Sequence, residues 1–168
     1  MKTVHFKIRR CEGPREEAYW EEFVIHQHPS MTIISALKEI QRNPMNAKGQ
    51  RTTPVVWDCS CLEEICGGCA MLVNGQAKLA CSFFVGTALR GCPGDHGGSP
   101  LQQPITLEPL SKFPLIRDLK VDRKEMFENL KKIKPWVPLD GTHDLGPGDR
   151  LSPLIQKKAY QLSCCISC

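Results

Sequence analysis

The sequence predicts an α+β chain, and three observations carry that prediction. Val4, Phe6 and Ile8 alternate with polar residues, the period of a half-buried strand. Ile33, Leu37 and Ile40 recur at helical spacing. Asn74-Gly75 stands between β-compatible residues, the strongest short-range signal for a hairpin.

Taken in order, the first strand is followed by WEEFVIH, Trp20 to His26, a second strand that suits a hairpin with it. Pro29-Ser30 then introduces MTIISALKEI, a helix with Ser30 or Thr32 as its N-cap. It should stop before Asn43-Pro44, because the residue preceding a proline disfavours helical angles. Two strands, a helix and then a cysteine-rich stretch is the order of compact β-grasp domains. GTALRGCPGDHGGSP, from Gly86, is dense in glycine and proline and reads as an exposed loop. A short strand at PITLEP follows, and LSKFPLIRDLK reads as a connection. Asp122 and Glu125 form a capping-box-like pair, with Val121 placed to staple onto Met126. Met126, Leu130 and Ile133 line one face of the helix they open, and Pro135 ends it. PLIQKKAYQLS can open a further helix. A domain boundary is expected near residue 112, giving units 1–112 and 113–168.

Composition removes several function classes. The 168 residues carry 22 Lys+Arg against 18 Asp+Glu, a net charge of +4. The basic residues between Arg117 and Lys134 are interleaved with Asp118, Asp122, Glu125 and Glu128, as on a solvated helix face rather than a nucleic-acid surface. MKTVHFKIRR offers no apolar run for a signal peptide, and no apolar stretch is long enough to span a membrane. A reducing compartment is therefore expected, where ten cysteines point to metal or redox chemistry before disulfides.

Four of those cysteines read Cys61-x4-Cys66-x2-Cys69-x11-Cys81, the plant-type [2Fe–2S] ligand spacing. Gly67 and Gly68 supply a backbone that can approach a cluster closely. The distant fourth thiol has a local explanation. A two-residue turn at Asn74-Gly75 pairs Val73 with Gln76, Leu72 with Ala77, Met71 with Lys78 and Ala70 with Leu79. Cys69 then faces Ala80, and Cys81 returns opposite Gly68. Met71 and Leu72 are expected to pack the core, and Glu63 and Glu64 to be solvated.

Rival readings remain. A four-cysteine zinc site usually uses two Cys-x2-Cys knuckles, and Cys66/Cys69 and Cys165/Cys168 are two such pairs, far apart in sequence. A catalytic cysteine needs a general base, and none of the five histidines, His5, His26, His28, His96 and His143, neighbours these positions. Cys59 could compete with Cys61 for an iron, and Cys11 and Cys92 read as free thiols.

Beyond the spacing, VVWDCSCLEEICGGCAMLVNG, the following LAC, QPITLEPLSKFPLIRDLKVDR, MFENLKKIKPW and PLDGTHDLGPG make the whole chain resemble the iron–sulfur subunit of succinate dehydrogenase/fumarate reductase. The resemblance implies an N-terminal β-grasp [2Fe–2S] ferredoxin-like domain followed by the beginning of an α-helical ferredoxin domain. It implies Cys61, Cys66, Cys69 and Cys81 as [2Fe–2S] ligands, and an electron relay from a flavoprotein (FAD) subunit to quinone at a membrane-anchor cytochrome b-type subunit. The expected location is cytoplasmic, peripheral on the inner face of the cell membrane.

In this family the second domain also holds [4Fe–4S] and [3Fe–4S] clusters. Cys165 and Cys168 match the first two positions of its Cys-x2-Cys-x2-Cys-x3-Cys-Pro motif, with Cys164 just ahead of them. The chain stops there, which implies an incomplete chain unable to assemble either later cluster alone. The segment around Gly91–Pro100 looks like an insertion relative to the family. A free-standing [2Fe–2S] carrier and a zinc-stabilised interaction module are the alternatives.

Overall fold

The computed structural model describes residues 2–85, 103–133, 152–155 and 157–158. Two compact units are present, Met1–Asp122 and Arg123–Cys168.

The first unit is built on a five-stranded sheet. β1 (Thr3–Arg10) pairs antiparallel with β2 (Tyr19–His26) along its whole length, Val4 opposite Ile25 and Phe6 opposite Phe23. β3 (Ala70–Val73) and β4 (Gln76–Leu79) form the second hairpin, and β5 (Ile105–Glu108) joins the two by running parallel to β1 and antiparallel to β3. The order across the sheet is β2-β1-β5-β3-β4.

Period-2 alternation puts Val4, Phe6 and Ile8 on the inner face with Phe23, Met71, Val73, Ile105 and Leu107. Across them lies α1 (Ile33–Arg42), which buries Ile33, Ile34, Ala36, Leu37 and Ile40. Each large side chain buried there contributes roughly 1.5–3 kcal/mol. Of the two N-cap candidates, Thr32 takes the role. Its hydroxyl accepts from the Ser35 N–H at 3.2 Å, and the Ser35 hydroxyl accepts from the Thr32 N–H at 2.8 Å. Asn43 caps the other end, ahead of Pro44 as expected.

The β3–β4 hairpin has the register expected from its turn, Val73 with Gln76 through Ala70 with Leu79. Ala80 N–H donates to the Cys69 carbonyl at 3.2 Å, so the pairing runs one step past the strands. Asn74 and Gly75 both have positive φ, 48° and 77°, as a tight turn of this hand requires. Gly75→Val meets open space but a backbone that β-branched residues avoid. It should cost about 1–3 kcal/mol of stability in urea titrations. With Cys81 as a ligand, as the sequence leads one to expect, iron content per chain should fall too.

LSKFPLIRDLK is not a plain connection. It folds into a small hairpin of β6 (Leu115–Arg117) and β7 (Lys120–Val121), with a register irregularity between Leu115 and Arg117. The first unit therefore extends to Asp122, beyond the boundary expected near residue 112. The cause is electrostatic. Asp118, fully buried at φ 47°, accepts from Arg10 Nε at 2.9 Å, Cys11 N–H at 3.0 Å and Val56 N–H at 2.8 Å. Arg10 occupies the inward register after Val4, Phe6 and Ile8, and is also fully buried. Its remaining donors reach Glu21 at 2.5 Å and the carbonyl and hydroxyl of Thr53 at 3.0 and 2.9 Å. Burial opposes the Arg10 charge, but the hydrogen bond and charge of Asp118, helped by Glu21, raise its pKa overall.

In the second unit, α2 spans Lys124–Ile133, and Pro135, expected to end it, lies outside the described residues. Residues 153–155 and 157–158 are helical, within the stretch expected to open a further helix. None of the helices among the described residues is long and apolar enough to cross a membrane.

Candidate metal centre

Residues 59–69 form a loop between α1 and β3 whose backbone turns its amides toward sulfur. Three N–H groups, of Glu63, Ile65 and Cys66, donate to Cys61 Sγ at 3.3, 3.4 and 3.3 Å. Cys66 Sγ accepts from the N–H of Cys61 at 3.5 Å and of Gly68 at 3.3 Å. The loop manages this by placing Leu62, Glu64 and Gly67 at φ 61°, 61° and 67°. Interspersed left-handed residues make successive amides converge into a nest, a concavity suited to anions and iron–sulfur groups. Glycine adopts that geometry freely, whereas Leu62 and Glu64 do so at a cost of order 1–3 kcal/mol each. Their strain is the signal that composition and spacing missed, since nothing in the residue types announces it.

Gly68 lies close to the wall of this loop. A Cβ there would stand 3.4 Å from Cys66 Sγ and 3.6 Å from the Cys59 backbone. Cys59 is therefore part of the wall of the loop, packed partly against the core, and Cys11 lies apart at the end of β1, buried. Glu63 and Glu64 are solvent-exposed as expected, and Met71 is in the core, whereas Leu72, on the opposite face of β3, is only half-buried and outside it.

The four thiols form two adjoining pairs. Cys61 and Cys66 exchange the backbone hydrogen bonds just described, at the half-exposed side of the loop. Cys69 and Cys81, both buried, adjoin each other at the root of the β3–β4 hairpin, near enough for Cys81 to act on the Cys69 thiol. Cys66 is near enough to Cys69 to act on it electrostatically, which joins the pairs. The environments differ sharply. Amide hydrogen bonds, from Glu63 first and then Cys66 and Ile65, pull the Cys61 thiol down from 9.0 to about 7. Burial, reinforced by the thiol of Cys81 and the charges of Cys81 and Cys66, pushes Cys69 up to about 12, against a backbone hydrogen bond from Cys81. In cluster-free protein, iodoacetamide should therefore label Cys61 first among the six described cysteines, with a rate that rises through pH 7, and Cys69 last of the six. Mass spectrometry of timed aliquots reads that order, because the thiolate is the reactive form.

A group that supplies positive charge at this point resolves the conflict among the buried thiols, since a coordinated thiol is deprotonated outright. Two pairs of thiolates are what two bridged irons require. Among the described residues, no group of three or more His, Cys, Asp or Glu is arranged around a single metal ion. None of the six described cysteines is in a disulfide. His5, His26 and His28 are all exposed. Cys92, Cys164, Cys165 and Cys168, with His96 and His143, lie outside the described residues.

Comparison with known proteins bears on the kind of group such a loop serves. The family model for the 2Fe-2S iron-sulfur cluster binding domain matches residues 5–128. The succinate dehydrogenase iron-sulfur subunit of Bacillus subtilis (strain 168) is 46% identical over 168 residues, all of this chain and 61% of the relative. The fumarate reductase iron-sulfur subunit of Wolinella succinogenes is 29% identical over 170 residues, covering 100% of this chain and 63% of the relative. Against these two the chain spans about three fifths of the relative's length. In fold, it resembles a chain of the Mycobacterium smegmatis Sdh1 complex in the apo form, with a TM-score of 0.57 at 19% identity. That match covers 99% of this chain and 60% of the other. With the family model spanning most of its length, the chain belongs to the 2Fe-2S iron-sulfur cluster binding domain family.

Proposed function

We propose that this chain is the electron-relay portion of a succinate dehydrogenase or fumarate reductase, with Cys61, Cys66, Cys69 and Cys81 as the ligands of its [2Fe–2S] cluster. The observation that carries the reading is the convergence of five loop amides on the sulfurs of Cys61 and Cys66, with Cys69 closing the loop and the β3–β4 hairpin bringing Cys81 back beside it. The likeness to succinate dehydrogenase and fumarate reductase iron-sulfur subunits over the whole of this chain supports the assignment to such a complex.

When bound, the cluster supplies a one-electron couple, while the hydrogen chemistry of succinate and fumarate belongs to a flavin on another subunit. The chain's own residues do the rest. Cys69 and Cys81 exclude water from one side, and the amides of residues 61, 63, 65, 66 and 68 stabilise sulfur charge and so tune the potential.

The sheet order β2-β1-β5-β3-β4 with α1 across one face supports a β-grasp description of the first unit. The second unit is read as the beginning of an α-helical ferredoxin domain. There Cys165 and Cys168 would be the first two ligands of a [4Fe–4S] motif. The partners on this reading are a flavoprotein subunit and a membrane-anchor cytochrome b-type subunit, with the chain peripheral on the inner, cytoplasmic face of the membrane.

Anaerobic reconstitution with iron and sulfide, followed by visible and EPR spectroscopy, tests the cluster. Two irons per chain and a rhombic signal on reduction are expected. Colourless protein with stoichiometric zinc would sink the electron-transfer reading in favour of a zinc-stabilised module. Co-purification with a flavoprotein subunit tests the complex, and cluster assembly without such binding would favour a free-standing carrier.

A further inference from the structure

Three successive residues of the β6–β7 hairpin grip the segment that feeds the cluster loop. Asp118 Oδ2 accepts from the Val56 N–H at 2.8 Å, and the Leu119 N–H donates to the Val56 carbonyl at 3.0 Å. Lys120 Nζ lies 3.9 Å from Asp58 Oδ2. With both its backbone groups engaged, Val56 is fixed in place and in rotation. Asp118 is in turn anchored to the end of β1 by Arg10 Nε and the Cys11 N–H, and its own N–H donates to the Cys11 carbonyl at 2.9 Å. The carboxylate is fully buried, so no solvent can substitute for it.

The gripped segment runs directly into Cys59, whose backbone is the surface against which Gly68 packs. Gly68 stands between Cys66 and Cys69 and donates its N–H to Cys66 Sγ at 3.3 Å. A shift at Val56 is therefore passed, over three residues, to the floor beneath two of the four thiols. Three donors converge on the two oxygens of Asp118, and only a carboxylate presents acceptors in both directions.

We propose that Asp118 is a positioning residue of the cluster site, acting through Val56 and the Cys59 backbone to set the seat of the Cys66–Cys69 turn. The proposal rests on the ligand reading above. Arg10 holds the carboxylate in place, and Lys120 adds a weaker, half-exposed brace to the same segment.

The test uses the full chain carrying its cluster. Asp118→Asn keeps the shape but turns an amide N–H₂ toward one of the three donors. In folded protein, checked by circular dichroism well below the melting midpoint, the g-values and line widths of the reduced cluster should change. Cluster loss to a chelator should accelerate about tenfold, the usual scale for partners that orient metal ligands. Lys120→Glu, at a half-exposed position, should change both in the same direction by less. A lowered melting midpoint with unchanged EPR signal and unchanged loss rate would reduce Asp118 to a purely structural role. Should Asp118→Asn give no soluble protein, Lys120→Glu decides, and an unaltered signal and loss rate in it overturn the proposal. Failure of the underlying reading looks different: Cys81→Ala would then retain the unsubstituted chain's cluster spectrum, which overturns the ligand assignment and the proposal together.

Discussion

Cys69→Ala protein should purify without a [2Fe–2S] chromophore, with iron per chain falling to background while the sheet remains folded. Cys69 is the thiol that joins the two pairs, facing Cys81 across the hairpin root and Cys66 along the loop. A cluster of this type needs four thiolates, and the buried position leaves little room for water to replace one. The fold should tolerate the change, because alanine fills the start of the hairpin and removes a thiol that burial already disfavours as an anion. Cys11→Ala is the matched control. It removes an equally buried thiol at the end of β1, away from the amide nest, and should keep the full iron content. Loss of iron in Cys11→Ala, or retention in Cys69→Ala, would contradict the ligand assignment. Iron analysis and the visible spectrum decide it.

Arg10→Ala should be the most destabilising single change in the first unit, costing about 3–5 kcal/mol in urea unfolding of the metal-free chain. It strands Asp118, which has no exposed surface, as an uncompensated buried charge, and removes the partner of Glu21. A simple buried ion pair can often be exchanged for two apolar residues without loss. That escape is closed here, because Asp118 also satisfies the N–H groups of Cys11 and Val56. Arg10→Met combined with Asp118→Leu should therefore remain below the unsubstituted chain in stability, since it leaves the buried Cys11 N–H and the part-buried Val56 N–H without their acceptor. A double variant as stable as the parent would show that the network contributes nothing beyond charge neutralisation.

The local parts of the structure were legible in the sequence for a physical reason. Alternation in β1, the spacing of Ile33, Leu37 and Ile40, and the Asn74-Gly75 turn all act within a few residues. The β3–β4 register, and with it the pairing of Cys69 with Ala80 one step past the strands, followed from turn geometry alone. Thr32 prevailed over Ser30 as the cap because Ser35, three residues on, completes the reciprocal pair.

LSKFPLIRDLK was misread as a connection because its reason to fold is 108 residues away in sequence, at Arg10. One clue was present: Arg10 follows Val4, Phe6 and Ile8 in the inward register, and a charge on that face demands a partner. Which acidic residue answers it cannot be read from periodicity.

By itself, then, the amino-acid sequence determined the α+β element order, the cysteine spacing and the hairpin that brings the fourth thiol home, since each depends on neighbours along the chain. The tertiary structure alone decided that the thiols divide into two pairs, that Leu62 and Glu64 bend the amides toward sulfur, and that Asp118 ties β1 to the segment beneath the cluster loop. Those outcomes depend on burial. A carboxylate or thiol acquires its role from what surrounds it once water is removed, and the linear order of residues does not specify that environment.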